Sequence, residues 1–280
     1  MTEDIRAACV IGWPVEHSRS PLIHNYWIGK YQVAGEYRRE AVPPEEFDGF
    51  VKELAERGYA GANVTLPHKE RVLGLSAPDE RAQVVGAANT LWFDEGVLRA
   101  TNTDVEGFLA NLDAATPGWD RDLETALVLG AGGAARSVVF SLIARDIPAI
   151  RVVNRTPERA EALRERFGPK VRPAAWDELG GLMRSAGLLV NTTTLGMQGQ
   201  PPLEIALDDL PASAVVCDLV YAPLLTDLIR KASTRGLRHA DGLGMLLHQA
   251  VRGFSLWFGV TPEVTPELRA LVEADLTKPA

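Results

Sequence analysis

Residues 125–159 constrain this chain more than any other stretch. The apolar run Thr125-Ala-Leu-Val-Leu129 meets Gly130-Ala131-Gly132-Gly133, an alanine-rich segment follows, and a second apolar run ends at Val152-Val153-Asn154-Arg155-Thr156. A short apolar strand, a tight turn, a helix and a second strand make one βαβ unit. Gly130 permits the turn, Gly132 lets backbone N–H groups approach a pyrophosphate, and small Ala135 lets the helix pack closely on the strand. The helix N-terminus adds unpaired N–H donors and partial positive charge. Gly130, Ala131, Gly132, Gly133 and Ala134 therefore read as a phosphate cradle.

The end of the second strand bears on which nucleotide is held. An acidic residue about 20 positions after the turn would grip the ribose hydroxyls of NAD. Here the place is taken by Asn154-Arg155-Thr156, with Arg159 a helical step further on. Guanidinium and hydroxyl donors match a 2′-phosphate, which a carboxylate would repel. The pattern indicates NADP. The competing explanation is a chance glycine pattern followed by solvated arginines.

At 280 residues the chain is comfortable for two domains. A net charge of −8 and no basic run argue against nucleic-acid or anionic-membrane partners. No window of about 18 uncharged apolar residues could span a membrane. The opening Met-Thr-Glu-Asp is acidic, unlike a secretory signal. Cys9 and Cys217 stand apart in apolar surroundings, which fits a reducing compartment better than a disulfide framework. These features lead to an expectation of a soluble cytoplasmic protein; separately, a monomer or homodimer with no metal is expected.

Strands are expected over residues 7–12, 37–42 and 61–65, with helices from Ser20 through Tyr26 and from Pro43-Pro44 to Arg57. A hairpin is expected from residues 90–93 and 98–100 across Asp94-Glu95-Gly96, then a helix over 104–114. Beyond the nucleotide unit come strands at 188–191 and 215–219, and helices at 245–258 and 266–274. Strands alternating with helices indicate an α/β fold of two domains with largely parallel sheets. The expected division is 1–104, a substrate-binding and catalytic domain, then 105–241, a Rossmann-type NADP-binding domain. Residues 242–280 would be helices returning to the first domain, because an isolated helical pair has little core of its own.

Hydride transfer at a carbonyl or alcohol needs a proton partner. In Gly61-Ala-Asn63-Val-Thr65-Leu-Pro67-His68-Lys69 a strand delivers Asn63 and Thr65, and Pro67 turns the chain so that Lys69 projects. The chain carries 23 arginines against six lysines, yet uses here the base that can release its proton. A solvated lysine opening a surface helix is the plainer alternative. Four further polar clusters stand out: Thr101-Asn102-Thr103-Asp104, whose plainer role is a helix cap; His17-Ser18-Arg19-Ser20-Pro21, where Ser20 suits an N-cap and leaves Ser18 spare for a ligand; Asn89-Thr90 before a strand; and Asp241-Gly242-Leu243-Gly244-Met245 with Gln249. Their neutral donors and acceptors suit a polyhydroxylated substrate.

The chain resembles the shikimate dehydrogenase family from about Cys9 to Leu276. The resemblance is carried by Gly-Trp-Pro-Val-Glu-His-Ser-Arg-Ser-Pro-Leu-Ile-His-Asn (12–25), Asn-Val-Thr-Leu-Pro-His-Lys (63–69), Ala-Asn-Thr (88–90), Asn-Thr-Asp (102–104), Gly-Ala-Gly-Gly-Ala-Ala-Arg (130–136), Asn-Arg-Thr (154–156) and Asp-Gly-Leu-Gly-Met (241–245). It implies reduction of 3-dehydroshikimate to shikimate with NADPH. Lys69 and Asp104 would be the catalytic pair, and Ser18, Ser20, Thr65, Asn89, Tyr221 and Gln249 would hold substrate beside them. Gly130–Ala134 and Asn154, Arg155, Thr156 and Arg159 would hold NADP, with Leu219, Gly242 and Met245 flanking the nicotinamide. Asn191-Thr-Thr-Thr194 departs from the commoner Asn-Ala-Thr-Pro form, in a loop expected beside the ribose. The rivals are an NAD-using quinate/shikimate dehydrogenase, an amino-shikimate paralogue, and a non-catalytic NADPH sensor, which should have lost Lys69 or Asp104.

Overall fold

The computed structural model describes residues 6–278, so the acidic Met-Thr-Glu-Asp opening lies outside them. The chain forms two compact units. One runs through Asp104 and resumes at Gln249, and the other is Val105–His248.

The first unit contains β1 (Arg6–Gly12), α1 (Ser20–Lys30), β2 (Gly35–Ala41), α2 (Phe47–Lys52), β3 (Tyr59–Val64), β4 (Ala77–Pro78), α3 (Glu80–Val85), β5 (Thr90–Asp94) and β6 (Val97–Thr101). Its sheet has the order β2-β1-β3-β5-β6-β4. β1 is parallel to both β2 and β3, while β5 runs antiparallel to β3 and β6. The run Ala7-Ala-Cys-Val-Ile11 is buried throughout, as a parallel strand covered on both faces requires. The β5–β6 hairpin turns on Glu95 and Gly96, with φ of 49° and 79°. Two successive positive φ values mark the turn that matches strand twist. The helix expected to reach Arg57 ends at Lys52; the Leu54 N–H then bonds Val51 O at 3.3 Å, a tighter spacing that carries Leu54 into the core.

The second unit holds α4 (Asp104–Ala115, its first residue shared with the division), β7 (Thr125–Leu129), α5 (Gly133–Ala144), β8 (Ala149–Val153), α6 (Pro157–Phe167), β9 (Val171–Ala174), α7 (Leu179–Met183), β10 (Leu188–Asn191), β11 (Val215–Asp218), α8 (Asp227–Thr234) and β12 (Arg238–Ala240). Its six strands are all parallel in the order β12-β11-β10-β7-β8-β9. Counted from β7 this is the doubly wound order 3-2-1-4-5-6. Sequence reading omitted β9 and β12, the two edges. β9 carries Arg172 and Pro173 and β12 only three residues, so neither presents an apolar run.

α9 (Gly242–Phe258) spans the second division, and α10 (Pro266–Leu276) follows. The division falls after His248, about two helical turns beyond the expected boundary at Gly242. Close packing explains the shift. A Cβ on Gly242 would lie 2.3 Å from Leu219 O, and one on Gly244 would lie 1.8 Å from Asn111 Oδ1, so the first turn sits tightly on second-unit residues. Further on, Trp257 Nε1 donates to Leu91 O at 2.7 Å across Gly61, where any Cβ would come within 2.2 Å of both atoms. β3 therefore needs glycine there.

His24 on α1 is fully buried, stacked on Tyr37 at 4.2 Å between ring centroids and edge-on to Trp27. Neither ring nitrogen has a hydrogen-bond partner among the described residues. Burial lowers its pKa from 6.5 to about 3. Above pH 6.5 the ring is neutral folded and unfolded, and has no effect on stability. Below it the unfolded chain binds more protons, so stability falls with pH until about 3. At pH 5 the loss is about 2 kcal/mol. His24→Leu is expected to remove it: in urea denaturation at pH 7 and pH 5, the wild type should lose about 2 kcal/mol more than the variant. Equal losses would mean that the folded ring takes up its proton without cost.

Candidate active site

In the first unit the chain runs from β1 out to β2 and then returns to the other side of β1 as β3. Crevices open at the carboxyl ends of strands where order reverses in this way. Two segments leave there, residues 13–19 and 65–69. They are stitched by Trp13 N–H to Leu66 O at 3.1 Å and Thr65 N–H to Ile11 O at 2.9 Å. A Cβ on Gly12 would come within 2.4 Å of Thr65 Cγ2, so glycine lets the two segments meet.

After Pro67 adjacent side chains diverge. His68 is buried, with Nε2 2.8 Å from Val42 O and its ring stacked on Phe47 at 4.1 Å. Burial also lowers its pKa, so the neutral ring is an anchor for the turn. Lys69 instead reaches Asp104: Nζ donates to Oδ2 at 2.7 Å, with the side chains 26% and 16% exposed. The other carboxylate oxygen, Oδ1, accepts from Asn89 Nδ2 at 2.8 Å. The Asn89 amide is oriented by its far end, where Oδ1 accepts the Thr103 N–H at 2.7 Å. A backbone N–H only donates, so the NH2 group must face Asp104.

Asp104 opens α4, and its own N–H goes to Asn102 Oδ1 at 3.1 Å. Asn102 therefore supports the start of that helix. The Thr103 hydroxyl lies 3.1 Å from Asn89 Oδ1 and 3.5 Å from Gln249 Oε1. Thr65, Lys69, Asn89, Asp104 and Gln249 all belong to the first unit, with Thr103 between Asn89 and Gln249. Ser20 differs from the expected cap: Arg19 holds that position. Ser20 is the first residue of α1, its N–H donates to Ser18 Oγ at 3.3 Å, and Arg39 holds Ser18 O at 2.8 Å. Ser18 thus supports the helix start by accepting one hydrogen bond, and its hydroxyl keeps its own proton to donate.

Sequence reading missed the polar layer beneath the pair. Tyr37 donates to Asn63 Oδ1 at 2.6 Å, and Asn63 Nδ2 donates to Thr90 Oγ1 and Asn89 O, each at 3.1 Å. For Asn89 and Asn102, though not for that layer, the hairpin register carries a signal. With Asp94 opposite Val97 and Thr90 opposite Thr101, the next residues out are Asn89 and Asn102. An ammonium held by a carboxylate, beside oriented amides and hydroxyls, can pass a proton to an oxygen while neighbouring groups hold further oxygens.

In the second unit the corresponding reversal lies between β7 and β10. Gly130 follows β7 with φ of 100°, and its Cβ would lie 2.8 Å from Thr192 Oγ1. Gly132 and Gly133 have open space where a Cβ would stand, at the start of the 12-residue α5. Ala131 is partly buried against the core, whereas Ala134 is exposed. At the end of β8, Asn154 Nδ2 bonds Thr156 O at 2.8 Å, bracing the turn into α6. Arg155, Thr156 and Arg159 are exposed, and neither arginine has an acidic partner among the described residues. Leu219 and Tyr221 lie on the segment after β11, both partly buried, and Met245 packs on the second-unit core. Among the described residues no helix is long and apolar enough to cross a membrane, and no cluster of acidic, histidine or cysteine side chains could hold a metal ion.

Three family models match the chain: the shikimate dehydrogenase substrate binding domain over residues 10–91, shikimate / quinate 5-dehydrogenase over 116–196, and the shikimate 5'-dehydrogenase C-terminal domain over 242–271. A curated relative from Nitrobacter hamburgensis, named shikimate dehydrogenase (NADP(+)), is 65% identical over 98% of this chain and 96% of its own length. The shikimate 5-dehydrogenase of Thermus thermophilus, solved with NADP(H) and shikimate, is 36% identical with a TM-score of 0.85, over 97% of this chain and 100% of that one. The quinate dehydrogenase of Corynebacterium glutamicum, solved with NAD, is 28% identical with a TM-score of 0.89, over 97% and 100%.

Proposed function

The chain belongs to the shikimate dehydrogenase family, and from that membership we propose that it catalyses the reversible NADP-dependent reduction of 3-dehydroshikimate to shikimate, a step towards chorismate and the aromatic amino acids. The observation that carries this reading is Lys69 Nζ held 2.7 Å from an Asp104 carboxylate whose other oxygen is taken by Asn89.

The second unit fits the cofactor. The open space at Gly132 and Gly133 and the start of α5 suit a pyrophosphate, and exposed Arg155, Thr156 and Arg159 suit a 2′-phosphate. NADPH, when bound, supplies the hydride. Lys69 in its ammonium form donates a proton to the carbonyl oxygen, and its neutral form accepts one from the hydroxyl in the oxidative direction. Asp104 orients Lys69 and takes a ring hydroxyl. Asn89, Thr65, Gln249, Tyr221, Ser18 and Ser20 hold the remaining oxygens. Leu219, Gly242 and Met245 border the nicotinamide.

In this reading residues 1–104 with the C-terminal helices form the substrate domain, and 105–241 the cofactor domain. The enzyme works in the cytoplasm on a small molecule, as monomer or homodimer, without nucleic-acid partners. Shikimate and quinate, each assayed with NADP and NAD, test it. Shikimate with NADP is expected to give the highest kcat/KM, and a preference for quinate with NAD would replace the assignment.

Lys69→Ala is expected to lower kcat about 10²- to 10⁴-fold, or about 3–5 kcal/mol of barrier, with a far smaller change in shikimate KM. A variant keeping more than about a tenth of wild-type kcat would remove Lys69 from the acid–base role. Replacing Arg155 and Arg159 with neutral residues should raise KM for NADP and leave the weak use of NAD nearly unchanged. Each lost charge-assisted contact costs about 1.5–3 kcal/mol. Equal losses with both cofactors would assign the arginines to folding.

A further inference from the structure

We propose that Asp218 is a positioning residue for this reaction: its buried carboxylate clasps both ends of segment 219–226 and so fixes Leu219 and Tyr221. The inference rests on the roles given to those two side chains above.

Asp218 ends β11 and is 1% exposed. Its Oδ1 accepts the Val220 N–H at 3.1 Å, at the start of the segment. Its Oδ2 accepts the Thr226 hydroxyl at 2.6 Å, at the other end. Thr226 also caps α8 by accepting the Ile229 N–H at 3.3 Å. One carboxylate thus joins the strand end, the segment and the next helix. Gly242 closes the other side, since its backbone lies so near Leu219 O that a Cβ would stand 2.3 Å away.

The clasp extends to the neighbouring strand. Asn191, the last residue of β10, donates from Nδ2 to Asp218 Oδ1 at 2.9 Å and to Leu195 O at 3.2 Å. Its Oδ1 accepts the Thr193 N–H and hydroxyl, and its backbone carbonyl accepts the Leu219 N–H at 3.0 Å. Loop 192–195, which closes over Gly130, and segment 219–226 are therefore set by the same two side chains.

Asp218 has no ion-pair partner among the described residues, and burial, the largest influence on it, raises its pKa. Three hydrogen bonds offset part of the cost of burying a charge, but a neutral side chain would avoid that cost. With its folded pKa raised, the charged carboxylate weakens stability at neutral pH and regains it as pH falls. Its contribution is to geometry.

The test compares Asp218→Asn, Thr226→Val and Thr226→Ser with wild type, measuring kcat, shikimate KM, NADP affinity by fluorescence titration, and Tm. Asp218→Asn and Thr226→Val are expected to lower kcat about 10- to 100-fold, as a misplacement of about 1 Å does. NADP affinity should stay within about twofold, because the glycine turn, Arg155 and Arg159 keep the cofactor's phosphates. Thr226→Ser keeps the hydroxyl and should restore activity. If Asp218→Asn does not fold, the contrast between Val and Ser at position 226 decides. A folded Asp218→Asn or Thr226→Val with near wild-type kcat overturns the clasp, as does a loss of NADP affinity in step with Tm. A wild type inactive towards shikimate with NADP overturns the reading of the site, and this inference with it.

Discussion

Both oxygens of Asp104 are committed, one to Lys69 and the other to Asn89, and the remaining geometry of the candidate site follows from that. A lysine side chain carries about 2 kcal/mol of rotamer entropy, so an ammonium without a fixed partner would sample many positions. The carboxylate removes that freedom only if it is itself prevented from turning. The Asn89 amide prevents it, and the Thr103 N–H determines which way that amide faces. At 26% and 16% exposure the pair is neither a loose surface bridge nor a fully desolvated one. Lys69 keeps access to solvent while its nitrogen stays in place.

The two units solve one structural problem in two chemical ways. Each has a parallel region where strand order reverses, and at each reversal a glycine admits a close approach: Gly12 against Thr65, Gly130 against Thr192 and Thr193. In the first unit the segments leaving the strands present side chains that carry or bind protons. In the second, the turn leaves glycine backbone exposed at a helix start. One surface supplies titratable and hydroxyl groups and the other fixed dipoles.

Most strands and the glycine turn were legible because their signals are local. A fully buried parallel strand shows as a continuous apolar run, as in Ala126–Leu129, and a two-residue hairpin turn is signalled by Glu95-Gly96. β9 and β12 escaped because edge strands need no such run. The cap assignment of Ser20 was misjudged because either hydroxyl suits a helix start in sequence, and only backbone geometry shows Arg19 at the cap position and Ser18 accepting from Ser20. Tyr37 and Asn63 were invisible as a layer, since a Tyr and an Asn on separate strands announce neither burial nor pairing. Asn89 and Asp104 stood out as members of polar clusters, but their roles came from family resemblance. The hairpin register would have brought them near each other, but not fixed the direction of the amide.

The first unit is discontinuous, and that has a consequence for synthesis. Its early elements are held by α9 and the loop after it: the Trp257 indole crosses Gly61 to Leu91, and Trp27 on α1 donates to Glu263 O at 3.1 Å. Trp257 and Glu263 leave the ribosome only after the whole of Val105–His248. At 5–20 residues per second the delay is on the order of ten seconds. At its end the doubly wound unit has every strand it needs, while the sheet translated first still lacks the Trp257 side chain that packs across Gly61. The part of the chain made earliest is the part completed latest.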